Sequence, residues 1–187
     1  MSCSEDDDTT EPRIVNVVAT ANLGQRLNLE TLAKSGLIFH DEAVYGGRVG
    51  YFRSPSFPGG VTLFPSGKMI GVGTRSEEEA FRQLEYVEEA LAEHDIIESV
   101  PLKPKIQNIV ATLDLKSGID VEGLAHELNL DFEPEQFPGA IMRLHSPCQV
   151  TILVFASGKA VITGAKTYHE VRVAAEELMK ATMPFRK

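Results

Sequence analysis

The sequence predicts an α+β protein built from two direct repeats. Three observations carry this: a pattern that recurs about 92 residues downstream, the same order of strand, helix, strands and helix in each copy, and a composition suited to a packed core. The chain has 187 residues, 43% hydrophobic and 24% charged, which fits a folded chain rather than a disordered or fibrous one. Length alone allows one large domain or two of about 90 residues, on a prior of roughly 100 to 200 residues per domain.

The repeat is read by self-comparison, which reveals an architecture that local propensity misses. Val15-Asn16-Val17-Val18-Ala19-Thr20 recurs as Gln107-Asn108-Ile109-Val110-Ala111-Thr112, and Tyr45-Gly46-Gly47 as Phe137-Pro138-Gly139. Phe64-Pro65-Ser66-Gly67-Lys68 recurs as Phe155-Ala156-Ser157-Gly158-Lys159 at an offset of 91, so one extra residue lies between Pro55 and Phe64. The expected organisation is an acidic disordered tail over residues 1–12, a first repeat over 13–98, a linker over 99–105 with Pro101 and Pro104, and a second repeat over 106–187.

Each repeat opens on an alternating strand, Arg13 to Leu23 and Ile106 to Leu115. A short helix follows, Leu29 to Lys34 and Val121 to Leu128, then several strands with tight turns. The last element is a longer helix, Ser76 to His94 and His169 to Thr182. Ser76 and Glu79 have the spacing of a capping box. Phe81, Leu84, Val87 and Leu91 form a core stripe with the glutamates elsewhere, which is how an acidic solvated face covers a core.

Charge narrows the partners. The formal net charge is -9, which taken alone argues against nucleic acid because phosphates are met by Lys and Arg. Its distribution along the chain argues the other way. Residues 1–12 hold five acids and no base, and residues 76–98 hold nine acids against Arg82, so the rest of the chain is at +4. A face drawn from that rest can attract an anion. Cys3 and Cys148 follow no metal-ligand spacing, so neither a disulfide framework nor a zinc module is expected. No apolar run approaches the roughly 18 residues of a membrane span, and the first ten residues are acidic where a secretory signal is basic and then apolar.

Strand alternation puts Asn16, Val18 and Thr20 on one face of the first strand, and Asn108, Val110 and Thr112 on one face of its copy. Ile109, Ala111 and Leu113 take the opposite face, suited to a core under helices. Leu153, Phe155, Val161 and Thr163 alternate in the same way with Ile152, Val154, Ala160 and Ile162. Helices are too few to cover both faces, and an open apolar face marks a partner surface. Asn, Thr and Val suit the DNA minor groove, which offers shape, apolar sugar walls and a few acceptors at A·T pairs. Lys68, Arg75, Arg143, Lys159 and Lys166 near the strand ends can reach phosphates. The simpler reading, in which the asparagines satisfy turns and Phe137 and Phe155 are core aromatics, fits any one residue but not their joint duplication.

These motifs, with Phe132-Glu133-Pro134-Glu135-Gln136-Phe137-Pro138-Gly139 and Thr163-Gly164-Ala165-Lys166, resemble the TATA-box-binding protein family over residues 13–185. The resemblance implies a saddle: a curved ten-stranded antiparallel sheet with four helices on its convex side and DNA under its concave side. It implies that Asn16 and Asn108 hydrogen-bond at the centre of the site, with Val18, Ile70, Val110 and Val161 as apolar groove contacts beside Leu153 and Thr163. Phe137 and Phe155 match a wedge pair that opens a base step, and Glu133 and Glu135 match stirrup positions that meet transcription factor B. The first repeat departs from the pattern: Tyr45 stands for a wedge Phe although Phe64 is kept, Val72 and Thr62 replace groove residues, and Tyr51 holds the position matched by Arg143. The extra residue before Phe64 is expected to lengthen the first stirrup.

The function so implied is a general initiation factor that binds and kinks A·T-rich promoter DNA and recruits transcription factor B and, indirectly, RNA polymerase. No cofactor, metal or membrane is implied, a weak homodimer is allowed, and the acidic helix and tail point to the archaeal branch. The location is then cytoplasmic and nucleoid-associated, or nuclear in a eukaryote. The alternative is a relative of this family that works mainly through protein interactions with weak or altered DNA binding. An enzyme is not expected. His40, Asp41 and Glu42 are adjacent and His145 lies near Cys148, but neighbouring residues on a strand or turn mostly point apart, and no phosphate loop, metal triad or nucleophile elbow is present.

Overall fold

The Ser-Gly-Lys turns hold each repeat in register. In the computed structural model, which describes residues 10–41, 43 and 45–187, Gly67 has φ +84° and Gly158 has φ +81°, a left-handed conformation that side chains disfavour. A Cβ on Gly67 would lie 2.1 Å from the Gln25 carbonyl oxygen, and one on Gly158 would lie 1.9 Å from that of Ser117. The close approach is used. Leu23 N donates to Gly67 O and Leu115 N to Gly158 O, both at 2.9 Å. Each first strand then ends in an Asx turn, with Gly24 N donating to Asn22 Oδ1 at 3.0 Å and Lys116 N to Asp114 Oδ1 at 2.9 Å.

The chain forms two compact units, residues 14–109 and residues 110–187 with the stretch ending at Arg13. The first holds β1 (Arg13–Asn22), α1 (Leu29–Lys34), β2 (Gly50–Phe52), β3 (Gly60–Leu63), β4 (Lys68–Thr74) and α2 (Glu77–Glu93). Its strands run β2-β3-β4-β1, antiparallel throughout. The second repeat holds β5 (Lys105–Asp114), α3 (Val121–Leu128), β6 (Gly139–Leu144), β7 (Val150–Phe155), β8 (Lys159–Ala165) and α4 (Tyr168–Thr182), in the order β5-β8-β7-β6. Both short helices have the expected bounds, and the α+β class holds.

The core of each repeat is the helix-covered side of its sheet. Val17, Ala19, Val61, Leu63 and Met69 are buried with Ala80, Leu84, Val87 and Leu91 of α2. Ile109, Ala111, Ile152, Val154, Ala160 and Ile162 are buried with Val171, Ala174, Ala175 and Leu178 of α4. Gly71 lets α2 approach closely: a Cβ there would lie 3.3 Å from Leu84 Cδ2.

Several expectations are corrected. Eight strands form among the described residues, not ten. In each repeat the remaining position is a single bridge, Phe39 to Tyr51 and Asp131 to Ile141. The second bridge cannot extend, because Pro134 lacks an N–H and Glu133 O already accepts from Gln136 N and Phe137 N at 2.9 and 2.8 Å. The extra residue of the first repeat lies in the hairpin between β2 and β3, not in the segment 40–49 that corresponds to the Glu133–Glu135 loop. There it brings Gly59 against β4, where a Cβ would lie 2.0 Å from Val72 O, and stacks Phe57 edge-on against Tyr86 of α2 at 5.5 Å.

The capping box at Ser76 is half formed. Ser76 Oγ accepts from Glu79 N at 3.1 Å, but the Glu79 carboxylate accepts from Arg75 N at 2.9 Å. The full box is at α4, between Thr167 and Glu170. Phe81 is half-buried and Ala80 takes its place in the core. Glu88, expected on the solvated face, is buried and accepts from Val100 N at 2.7 Å. The expected tail lies almost wholly outside the described residues.

Gly158→Ala is expected to cost about 3 kcal/mol, combining the left-handed penalty with a backbone collision, against about 1 kcal/mol for Gly24→Ala, whose φ is +69° but whose Cβ meets open space. Urea unfolding of the two variants checks this, and equal losses would refute the collision.

Candidate nucleic-acid interface

On the side of each sheet opposite the helices, the described residues of the strands are half-buried or exposed. Asn16, Val18, Thr20, Thr62 and Ile70 are half-buried there in the first repeat, and Val72 is exposed. Asn108, Val110, Thr112, Leu153, Val161 and Thr163 are half-buried in the second. Every residue expected on the open face is on it, because the alternation of β1 and β5 is unbroken through these positions: both strands show the same succession of exposed, half-buried and buried residues.

Polar groups on this face are held. Asn16 Oδ1 accepts from Gly73 N at 2.8 Å, where Gly73 has φ +95°. A backbone N–H can only meet the oxygen of a carboxamide, so the bond assigns the amide orientation and keeps its NH2 group as the donor end. Gln107 Nε2 donates to Thr20 Oγ1 at 2.8 Å.

Phe137 and Phe155 meet edge to face, 5.6 Å between centroids and 63° between planes. Gly139 seats them: a Cβ there would lie 2.9 Å from Phe137 Cε1 and 3.0 Å from Phe155 Cε1. Both rings are half-buried, unlike core aromatics. Phe64 is half-buried at the equivalent position, and the side chain of Tyr45 lies outside what the structure describes.

The basic residues fall on the margins. Lys68, Arg75, Lys159 and Lys166 are exposed. Arg75 and Lys166 take equivalent places before the long helices, each with its N–H bonded to a carboxylate of the first turn, Glu79 at 2.9 Å and Glu170 at 2.5 Å. Arg143 is bound by Asp131 in an ion pair, so it is not a freely mobile cation. Glu133 and Glu135 are exposed on the loop before β6. The Glu133 carboxylate is hydrogen-bonded to Gln136, and its carbonyl accepts from Phe137 N, which ties this loop to the aromatic pair.

Sequence reasoning missed Lys103 and Lys105, which line the same groove as Phe64 and Lys68, and Arg13 and Lys116, which line its counterpart with Phe155 and Lys159. The signal was available in the offset of 92, which pairs Lys105 with Arg13. Of the residues weighed for catalysis, His40 and Asp41 each bond to the backbone. His40 Nδ1 bonds Val49 O at 2.9 Å, Asp41 Oδ1 accepts from Ala43 N at 2.8 Å, and Glu42 lies outside the described residues. Cys148 is buried, and burial with Glu170 and Glu177 nearby pushes its thiol pKa up.

Comparison with known proteins decides the family. The family model described as "Transcription factor TFIID (or TATA-binding protein, TBP)" matches residues 11–94 and again 103–182. The chain belongs to the TATA-binding protein family. It is 40% identical over 174 residues to the TATA-box-binding protein of Cenarchaeum symbiosum, covering 92% of this chain and 94% of that one. It is 38% identical over 170 residues to that of Pyrobaculum calidifontis, covering 89% and 83%. The solved structure of Methanococcus jannaschii TBP superposes with a TM-score of 0.80 at 31% identity, covering 92% of this chain and 98% of that one. The double match of the TATA-binding protein model agrees with the two repeats. No helix among the described residues is long and apolar enough to cross a membrane.

Asn16→Ala should destabilise the chain by about 1 kcal/mol, while Asn16→Asp, which keeps the acceptor for Gly73 N, should stay within about 0.5 kcal/mol of the wild type. Chemical unfolding compares them. Equal stabilities of the two variants would mean that the Asn16–Gly73 bond contributes nothing.

Proposed function

We propose that this chain is a general transcription initiation factor that binds A·T-rich promoter DNA through the minor groove. The observation that carries the reading is the duplicated open face, with Asn16, Val18 and Thr20 repeated as Asn108, Val110 and Thr112. The names of its relatives support it. The minor groove of an A·T pair offers only acceptors, and a G·C pair adds a donor. An amide whose oxygen is committed to the backbone presents donors to the first and is left facing a donor at the second.

Phe137 and Phe155 act as the wedge. They sit together on Gly139 with their edges accessible, and an apolar ring inserted between base pairs replaces stacking and kinks the duplex. Phe64 and Tyr45 act at the other repeat, where the tyrosine hydroxyl makes insertion costlier. Lys68, Arg75, Arg143, Lys159 and Lys166 meet phosphates, which position the protein without reading sequence. Glu133 and Glu135, unsuited to phosphates, receive transcription factor B, which brings RNA polymerase. The protein works without cofactor or hydrolysis, at the nucleoid.

Asn108→Ala should lower affinity for an A·T-rich duplex more than for a random one, by about 1 to 3 kcal/mol of discrimination. Fluorescence anisotropy with both duplexes measures this. Equal losses would make Asn108 a backbone contact, and weak, non-selective binding by the wild type would favour the relative that acts mainly through protein interactions. Charge reversal of Glu133 and Glu135 to Lys should abolish the ternary complex with transcription factor B and leave binary DNA binding intact. A normal ternary complex in a gel-shift assay would remove these residues from the partner surface.

A further inference from the structure

The linker between the repeats is not a free tether. Gln25 clasps Glu98 from both sides, its Nε2 donating to Glu98 O at 2.7 Å and its Oε1 accepting from Glu98 N at 2.9 Å. Two residues on, the buried Glu88 carboxylate of α2 accepts from Val100 N. Pro101 and Pro104 stiffen the remaining residues up to β5, and the segment belongs to the same compact unit as the first repeat. It places Lys103, and Lys105 at the start of β5, in a groove of about 520 Å³ with Lys68, Phe64, Thr20 and Gln107.

The second repeat has the equivalent groove, of about 700 Å³, holding Phe155, Lys159, Arg13, Lys116, Glu11 and Asp114. Position by position, Lys68 corresponds to Lys159 and Lys105 to Arg13, so those charges match. The others differ. Lys103 corresponds to Glu11, a reversal of sign, and Asn22 to Asp114, an added acid, against which Lys116 in place of Gly24 adds one base. The first groove therefore carries three bases and no acid, and the second three bases and two acids.

We propose that the linker and the start of β5 are part of the DNA interface: Lys103 and Lys105, with Lys68, form a phosphate clamp on the first repeat, and the equivalent groove of the second repeat is a weaker clamp because Glu11 and Asp114 neutralise it. This rests on the DNA-binding reading above. Phosphate is the ligand that fits, because the groove gathers three lysines with no carboxylate in its lining and flanks the open face at Thr20. Each phosphate neutralised by a base releases counterions and contributes about 0.9 to the slope of log affinity against log salt. The two grooves thus hold a duplex unequally, the linker end through more counterions.

The test is the salt slope on one A·T-rich duplex, read by anisotropy, with thermal melts of each variant. K103Q/K105Q should lower the slope by about 1.8, and R13Q/K116Q by less than half of that. E11Q/D114N should steepen the slope and tighten binding. Asn at position 114 keeps the acceptor for Lys116 N, and a gain of binding cannot come from misfolding. A wild-type slope that K103Q/K105Q leaves unchanged, or no gain from E11Q/D114N, overturns the clamp and leaves the DNA-binding reading standing. A wild type that binds the duplex without salt dependence overturns both.

Discussion

Each repeat sets a two-sided sheet against helices that lie on one side only. This is the constraint on which the rest of the structure depends. The helix side is closed, with Val17, Ala19 and Met69, or Ile109, Ala111 and Ile162, fully buried. The other side carries Val18, Ile70, Val110, Leu153 and Val161 half-covered, and apolar area left in water forgoes about 25 cal/mol per Å². Nothing in the core of either repeat needs those side chains to be apolar. The proposed function accounts for their character through a partner that dehydrates them, and the alternation that puts them there is kept in register by the glycine turns at Gly67 and Gly158.

A face awaiting a partner is useful only if its polar groups do not have to be ordered on contact. The bond from Gly73 N to Asn16 removes one choice of amide orientation, and the edge-to-face packing of Phe137 on Phe155, for which Gly139 leaves room, restricts two rings at once. Order present beforehand is order that binding does not have to supply. The same preorganisation extends to the loop before β6, where Glu133 fixes the turn that leads into Phe137. The proposed partner surface and the aromatic pair thus share one short segment, joined by the bond from Phe137 N to Glu133 O.

The repeat, the two classes of element and the open face were legible in the sequence because they depend on periodicity, and strand period and repeat offset survive without knowledge of tertiary contacts. The bounds of α1 and α3 and the alternation of Asn108, Val110 and Thr112 are of this kind. What was not legible depended on contacts across the chain. Glu88 looks like one more solvated glutamate until Val100 N is seen beside it, and Ala80, not Phe81, is fully buried. The extra residue of the first repeat could be counted, but only the pairing of β2 with β3 shows which loop holds it. Lys103 and Lys105 read as linker because prolines flank Lys103, and only the clasp of Gln25 on Glu98 turns that linker into a wall of the groove. Charge was partly legible: the acids of α2 were separable by position, whereas the unequal neutralisation of the two grooves required knowing which residues share a groove.

Minor-groove readout by donors is the claim on which the functional reading depends most. It is tested most directly by replacing the A·T pairs of a bound duplex with inosine·cytosine pairs. These present the minor groove of A·T, without the guanine amino group, and the major groove of G·C. Readout by Asn16 and Asn108 predicts an affinity for the substituted duplex close to that for A·T and well above that for G·C. Binding to inosine·cytosine as weak as to G·C would place recognition in the major groove and contradict the role of the open face.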